Sequence, residues 1–282
     1  LRVTATGNLA QATRIAVVVP GVGHRASEFD HSEPTAPTSD PTPTAPTSAD
    51  AVTVQPGTLP AMAKNLLDAA TESAAHPDPH VAVIAWLGYV PPSANVEALE
   101  STAIPVAAAN LAALQRELEH SFPAARVTWA CHSFGTLVCA SALVGADPDA
   151  VVLLGSPGVT YKHASDLPTD ADVFAALGDG DPIRLVGALD AVGGGFGPNP
   201  AATQFGAVRL PTDPGAGHSD YYRPGSSQLT ALAQVVLGEG RATRRSQETL
   251  HEEAGESWPI AGNERLNRQA VASKRPSGLP SY

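Results

Sequence analysis

Short apolar runs alternate with longer helical stretches along this chain of 282 residues, and this alternation limits the folds that it can adopt. Several runs are apolar at every position, such as Ile15-Ala-Val-Val-Val19, which predicts strands covered on both faces. The predicted strands are 3–6, 14–19, 81–86, 126–130, 151–154, 172–176 and 207–210, and the predicted helices are 59–75, 101–120, 134–145 and 226–237. Such alternation is typical of crossover units, so we expect an α/β fold whose mostly parallel central sheet has helices on both faces.

Composition permits a large core and excludes several classes of protein. Apolar residues make up 43% of the chain, which excludes a wholly disordered or collagen-like chain. No window of 18 consecutive apolar residues is present, so the sequence predicts no transmembrane helix. The formal net charge is −11, and the acidic excess lies in residues 1–238. Because this charge would repel phosphate backbones, we expect no nucleic-acid partner.

Two segments depart from the alternating pattern and divide the chain. Residues 34–50 are rich in Pro and Thr and lack large apolar side chains, which indicates a surface insertion, either a plain loop or a flap over a functional site. Residues 239–282 are polar and predict a tail after a domain formed by residues 1–238. The chain begins at Leu1 without a basic-then-apolar leader, so we expect a processed or trimmed product, with or without a removed export signal.

The only two cysteines, Cys131 and Cys139, flank the motif described next. On a strand, turn and helix we expect them to lie too far apart for easy bridging. Their number also excludes a disulfide framework. This reasoning favours a reducing, cytoplasmic compartment over secretion after signal removal.

The most informative segment, residues 126–140, predicts a strand, a tight turn and a helix with Ser133 at the apex. Gly135 lies two residues after Ser133, where strand and helix pack closely, and Cys131 lies two residues before it, where Gly is usual. The pattern indicates a nucleophile elbow, which presents a serine hydroxyl at the carboxyl edge of a sheet. The alternative interpretation is a serine that only caps the helix.

A nucleophilic serine needs backbone donors for the oxyanion that it creates. The helix after Ser133 places the backbone N–H of Phe134 beside it. The loop after strand 14–19 reads Pro20-Gly-Val-Gly-His24, and we expect a second N–H from Val22 or Gly21 there. The same loop is equally compatible with a plain turn.

The serine also needs a base and an acid, which this kind of fold supplies later in the chain. His218 is the predicted base because it lies in a glycine-containing loop between the last strand and the last helix. His163 precedes the late strands and His251 lies in the polar tail, so both are discounted. The predicted acid is Asp181, on the turn after strand 172–176, with Asp179 as the alternative. A surface histidine and ordinary turn aspartates are the plain alternatives.

Three further features bear on ligands. Trp86 and Tyr89 lie at the carboxyl end of a predicted strand, where they either line a substrate pocket or pack in the core. The run 193–197 contains four glycines but neither follows a strand nor carries Lys-Ser/Thr, so it predicts no nucleotide site. The nine histidines lack the spacing of a zinc site. We therefore expect no metal and no cofactor.

The chain resembles an α/β-hydrolase family that is widespread in actinobacteria and was long catalogued as a domain of unknown function. The segments that carry the resemblance are 17–23, 83–89, 132–135, 151–158, 180–183 and 217–219. The resemblance covers residues 3–238 and implies a serine hydrolase with Ser133, Asp181 and His218 as its triad, but no particular substrate. The chain departs from the family at Cys131, at Phe134 where Tyr is common, and in the Pro/Thr insertion.

Together these features predict a hydrolase that cleaves an ester or related acyl bond in a small-molecule or lipid-like substrate. The alternative is a protein of the same fold that binds or scaffolds without turnover. The distance between the Ser133 hydroxyl and the His218 ring separates the two hypotheses, since catalysis requires hydrogen-bond reach.

Overall fold

A seven-stranded sheet forms the centre of the computed structural model, which describes residues 1–32, 57–74, 80–92, 102–185 and 196–239. The strands are β1 (Arg2–Gly7), β2 (Arg14–Val19), β3 (Val81–Leu87), β4 (Arg126–His132), β5 (Ala150–Leu154), β6 (Asp172–Ala176) and β7 (Val208–Arg209). Their order is β1-β3-β2-β4-β5-β6-β7. Strand β1 pairs with β3 antiparallel, and all other neighbours are parallel. This arrangement confirms the predicted α/β fold with a mostly parallel sheet.

Helices cover both faces of the sheet because successive side chains of each strand point in opposite directions. Helices α2 (Ala103–Ser121) and α3 (Gly135–Ala142) pack on one face, and α1 (Leu59–Ser73) and α4 (Ser227–Val236) pack on the other. In β2, Ile15, Val17 and Val19 belong to the first apolar layer, whereas Ala16 and Val18 belong to the second. The fully apolar runs of the sequence are therefore strands buried on both sides.

Polar caps begin the two helices of one face where the sequence places Thr and Ser. The Thr58 hydroxyl accepts a hydrogen bond from the backbone N–H of Ala61 (3.4 Å), and the Ser226 hydroxyl accepts one from Leu229 (3.3 Å). Strand β4 is two residues longer than predicted because His132 still pairs with Leu154 of β5. Its end lies at the centre of the sheet.

Two predicted segments fall largely outside the described residues. These are the insertion 34–50 and, apart from Glu239, the tail 239–282. The division of the chain at residue 238 therefore stays a prediction. In the part of the chain that the structure describes, no helix is both long enough and apolar enough to cross a membrane.

Candidate active site

Ser133 lies in the tight turn between β4 and α3 and has a positive backbone φ of 54°. Such a conformation is strained for a serine and persists only where the surroundings enforce it. Gly135 provides one constraint, since a Cβ there would lie 2.5 Å from the carbonyl oxygen of Pro20 and 2.7 Å from that of Val19. The backbone N–H of Ser133 also donates to the carbonyl oxygen of Leu154 (2.9 Å). The end of β2, β5 and α3 thus hold the turn together.

A disulfide between Cys131 and Cys139 joins β4 to α3 on either side of Ser133. The prediction that these cysteines lie too far apart to bridge is wrong. The turn folds α3 back along β4, which brings the two Cα atoms to 6.5 Å, within the range that disulfides span. The inference of a reducing compartment from these residues therefore loses its premise.

Ser133, His218 and Asp181 form an unbroken chain of hydrogen bonds. The Oγ atom of Ser133 lies 2.8 Å from His218 Nε2, and His218 Nδ1 lies 3.0 and 2.9 Å from Asp181 Oδ1 and Oδ2. The Asp181 side chain is fully buried, whereas 29% of the His218 side chain is exposed. The structure therefore brings together the three residues that the sequence singled out for this chemistry.

The other candidates for base and acid point elsewhere. Asp179 accepts a hydrogen bond from the backbone N–H of Gly215 (2.6 Å) in an exposed position. His163 contacts Asp166 (3.2 Å) at the surface. His251 lies outside the described residues. Only Asp181 among these carboxylates is paired with His218 in the described part of the chain.

Hydrogen bonds keep the Asp181 carboxyl ionised. Burial raises its pKa, but hydrogen bonds from His218, Tyr221 and the backbone N–H of Ile183 lower it by more, so its pKa lies below the ordinary value of 3.8. An ionised carboxylate only accepts hydrogen bonds, so His218 Nδ1 carries the proton and Nε2 is free to accept from the Ser133 hydroxyl. This tautomer is the one that a general base requires.

Glycine is required near the contact between two loops, the acid loop after β6, which contains Asp181, and the histidine loop after β7, which contains His218. At Gly155, which follows β5 with a φ of 55°, a Cβ would lie 3.0 Å from Asp181 Oδ2 and 3.2 Å from His218 Nδ1. At Gly178 a Cβ would lie 2.1 Å from the carbonyl oxygen of Ala216. The loops after β6 and β7 therefore pack against each other at backbone distance.

Sequence reasoning did not identify two buried residues of the site, Tyr221 and His132. The Tyr221 hydroxyl donates to Asp181 Oδ2 (2.6 Å). His132 Nε2 donates to the carbonyl oxygen of His218 (2.8 Å), and the two imidazole centroids are 4.8 Å apart. No periodic pattern marks either residue. The available signals were their positions in the chain: His132 directly precedes Ser133, and Tyr221 follows His218 by three residues.

Two of the three residues expected to form the oxyanion site, Gly21 and Phe134, lie beside Ser133. A Cβ on Gly21 would be 2.7 Å from the Ser133 Cβ, so the loop after β2 lies against the serine. Phe134 directly precedes α3. Val22 is partly buried and packs against the apolar layer that α2 and α3 cover.

Trp86 and Tyr89 lie behind this loop and are each only 3% exposed. Their ring centroids are 5.9 Å apart, and the Tyr89 hydroxyl donates to the carbonyl oxygen of Pro20 (2.6 Å). This burial favours the packing interpretation of the two aromatic residues. They support the loop after β2 from the core side.

Within the described residues, no group of three or more His, Cys, Asp and Glu side chains is arranged to hold a metal ion. The chemistry that this site offers comes from its serine, imidazole and carboxylate.

Comparison with known proteins relates the chain to alpha/beta hydrolases. A family model described as alpha/beta hydrolase matches residues 1–191, which include Ser133 and Asp181 but not His218. Two uncharacterized proteins of Mycobacterium tuberculosis, from strains CDC 1551 / Oshkosh and ATCC 25618 / H37Rv, are each 32% identical over 201 residues. The alignment covers 60% of this chain and 30% of each relative. The chain thus matches less than a third of the length of these relatives.

Two solved structures are similar to this chain at low sequence identity. One is an α/β serine hydrolase without lid from Xanthomonas campestris, with 15% identity, a TM-score of 0.42 and coverage of 85% of this chain and 88% of that one. The other is an alpha-beta serine hydrolase homologue from Coxiella burnetii, with 11% identity, a TM-score of 0.41 and coverage of 84% and 89%.

Proposed function

Because the chain belongs to an alpha/beta hydrolase family, we propose that it is a serine hydrolase that cleaves an ester or related acyl bond. The observation that carries the proposal is the chain of contacts from Ser133 Oγ through the His218 ring to Asp181, in which no distance exceeds 3.0 Å. A serine hydroxyl is a weak nucleophile unless a base within hydrogen-bond reach removes its proton.

In the first half of the reaction, Ser133 Oγ attacks the carbonyl carbon of the ester while His218 Nε2 takes the hydroxyl proton. The carbonyl oxygen becomes an oxyanion, which the backbone N–H groups of Phe134 and of Val22 or Gly21 stabilise. The C–O bond to the leaving alcohol then breaks as His218 returns the proton to the alcohol oxygen. This step leaves an acyl group on Ser133.

In the second half, a water molecule attacks the acyl carbon and gives its proton to His218. Collapse of the second oxyanion releases the carboxylic acid, and the proton returns to Ser133 Oγ. Asp181 remains ionised throughout, since its function is to hold His218 Nδ1–H and to stabilise the imidazolium that forms twice per cycle.

A fluorophosphonate probe tests the proposal directly, because it forms a covalent adduct only with an activated serine. We expect the folded wild-type protein to gain one adduct on Ser133 and the Ser133→Ala variant to gain none, as measured by mass spectrometry of the intact protein and its peptides. Ser219→Ala is the matched control, since it removes a serine next to His218 and should label normally. Absence of labelling in folded wild type would contradict the proposal.

The substrate class follows from a second measurement. A panel of p-nitrophenyl esters from acetate upward, assayed with the wild type and Ser133→Ala, reports the length of acyl chain that the site accepts. Turnover that survives in Ser133→Ala would assign the activity to another group. No observation favours the non-catalytic alternative, since the 2.8 Å contact between Ser133 and His218 is within catalytic reach.

A further inference from the structure

Tyr221 connects the backbone of the acid loop to the acid itself. Its hydroxyl lies 2.6 Å from Asp181 Oδ2 and accepts a hydrogen bond from the backbone N–H of Gly178 (3.1 Å). The ionised carboxylate has no proton to give, so the tyrosine hydroxyl must donate to it. The direction of the chain is therefore fixed, from Gly178 N–H through the Tyr221 hydroxyl to Asp181.

Packing encloses the Tyr221 ring. Tyr221 is only 1% exposed. Its ring lies against Gly155, where a Cβ would be 2.8 Å from Tyr221 Cε2, and its centroid is 5.5 Å from that of His132. Burial also raises the pKa of Tyr221 above its ordinary value, and the bond to Asp181 adds to this effect, so the hydroxyl stays protonated as a donor.

The oxygen that Tyr221 contacts is also one of the two that face His218. Oδ2 lies 2.9 Å from His218 Nδ1 and 2.6 Å from the Tyr221 hydroxyl, whereas Oδ1 lies 3.0 Å from Nδ1 and accepts from the backbone N–H of Ile183 (2.9 Å). Each carboxylate oxygen thus has one donor besides the imidazole. This symmetry fixes the plane of the carboxylate relative to the His218 ring.

We propose that Tyr221 is a positioning residue for the acid of the proposed Ser133–His218–Asp181 triad. The inference rests on the proposed function and adds a fourth side chain to it. By donating to Oδ2, Tyr221 orients the carboxylate and disperses part of its charge. Without this donor, the carboxylate of Asp181 holds the His218 ring in a less defined direction, so proton transfer from Ser133 to His218 Nε2 becomes slower.

The test compares Tyr221→Phe with Tyr222→Phe. Tyr222 is an equally buried neighbour whose hydroxyl donates to the Ala130 carbonyl oxygen (3.3 Å) and has no contact with Asp181. For Tyr221→Phe we expect fluorophosphonate labelling of Ser133 to slow about 10- to 100-fold, the equivalent of one hydrogen bond to a charged group. Tyr222→Phe should label at the wild-type rate.

A second background separates positioning from a general structural role. In Asp181→Asn the carboxylate that Tyr221 would orient is absent, so adding Tyr221→Phe should change the labelling rate little. A residue that only supports the fold would lower the rate by the same factor in both backgrounds. That outcome, or equal behaviour of the two tyrosine variants, would overturn the proposal.

A spectroscopic measurement keeps the inference independent of activity. The His218 Nδ1 proton, hydrogen-bonded to Asp181, should give a low-field NMR resonance that moves in Tyr221→Phe and stays in Tyr222→Phe. If the resonance responds in this way but Ser133 of the wild type is not labelled by the fluorophosphonate, the proposed function fails and the positioning role stands. If Tyr221→Phe does not fold, site-specific 3-fluorotyrosine at position 221 retains the shape and donates more strongly. The Nδ1 resonance should then move, and an unchanged resonance would contradict the role.

Discussion

His132 has to remain uncharged beside a ring that becomes charged. Its imidazole centroid is 4.8 Å from that of His218, and its Nε2–H donates to the His218 carbonyl oxygen. Burial and the nearby His218 lower the pKa of His132 to about 3, against a smaller opposing effect of that hydrogen bond. Two cations at this distance would repel each other. A neutral His132 therefore holds the His218 backbone without opposing the imidazolium that the proposed reaction creates.

This buried imidazole predicts how stability depends on pH. An unfolded chain binds a proton on His132 below about pH 6.5, whereas the native protein does so only near pH 3. The contribution of the neutral His132 to folding stability is thus fully present above pH 6.5 and is lost as the pH falls toward 3. Between pH 5.5 and 4.5 we expect the free energy of unfolding of the wild type to fall more steeply than that of His132→Gln, by about 1.4 kcal/mol per pH unit.

Urea unfolding of both proteins at several pH values measures this difference. The glutamine amide retains a donor toward the His218 carbonyl but does not titrate, so it is the matched comparison. Parallel stability curves for the two proteins would show that His132 contributes no such dependence.

At the scale of elements, the disulfide ties together the strand and helix that hold the strained serine. Cys131 lies on β4 and Cys139 on α3, and both residues are fully buried. A cross-link of this kind acts mainly by restricting the unfolded chain. It therefore stabilises the native turn around Ser133.

Removing the cross-link should lower stability by an amount that follows from its short loop. With a sequence separation of 8, loop-closure entropy predicts a loss of about 2–3 kcal/mol for the double variant Cys131→Ala, Cys139→Ala. Denaturant unfolding with and without reductant measures this loss, and reductant should destabilise only the wild type. Alkylation of both cysteines in denatured, unreduced wild type would show that the bridge is absent.

At the scale of the whole molecule, α4 covers one face of the sheet that positions the site. Helix α4 packs Leu229 and Leu232 against the sheet and ends at Val236, and Gly238, two residues later, has a φ of 84°. Arg14 at the start of β2 donates to the carbonyl oxygen of Leu237 (2.8 Å). The hydrogen bond from Arg14 satisfies a backbone carbonyl at the end of α4, just before the polar residues that begin at 239.

We therefore expect residues 1–239 to fold without the remainder of the chain. A protein truncated after Glu239 should keep the denaturation midpoint and the fluorophosphonate labelling rate of the whole chain. Truncation after Gly225 is the comparison, since it also removes α4 and uncovers one face of the sheet, and it should not fold. A truncated protein that ends at Glu239 and aggregates would place the boundary of the domain further along the chain.

Strands and helices were predictable because each is a contiguous run whose apolar pattern reports its own burial. The run 14–19 appears as β2 with the same bounds, and 172–176 as β6. Ser133, Asp181 and His218 could be singled out because each occupies a loop at a strand end. Cys131–Cys139, Tyr221 and Gly155 could not be interpreted in this way. Their contacts depend on how loops and helices meet in space, which no local pattern encodes.

The separation of the site residues along the chain also orders their assembly during synthesis. Cys131 and Cys139 are 8 positions apart, whereas Ser133 and His218 are 85 apart. On a ribosome the bridge is free to close once α3 has emerged, but the serine meets its histidine only after the loop beyond β7 has been made. A product that terminates before that loop can therefore contain the cross-linked cysteines and still lack His218. Under the proposed chemistry, translation itself delays the first acyl transfer until the loop beyond β7 has emerged.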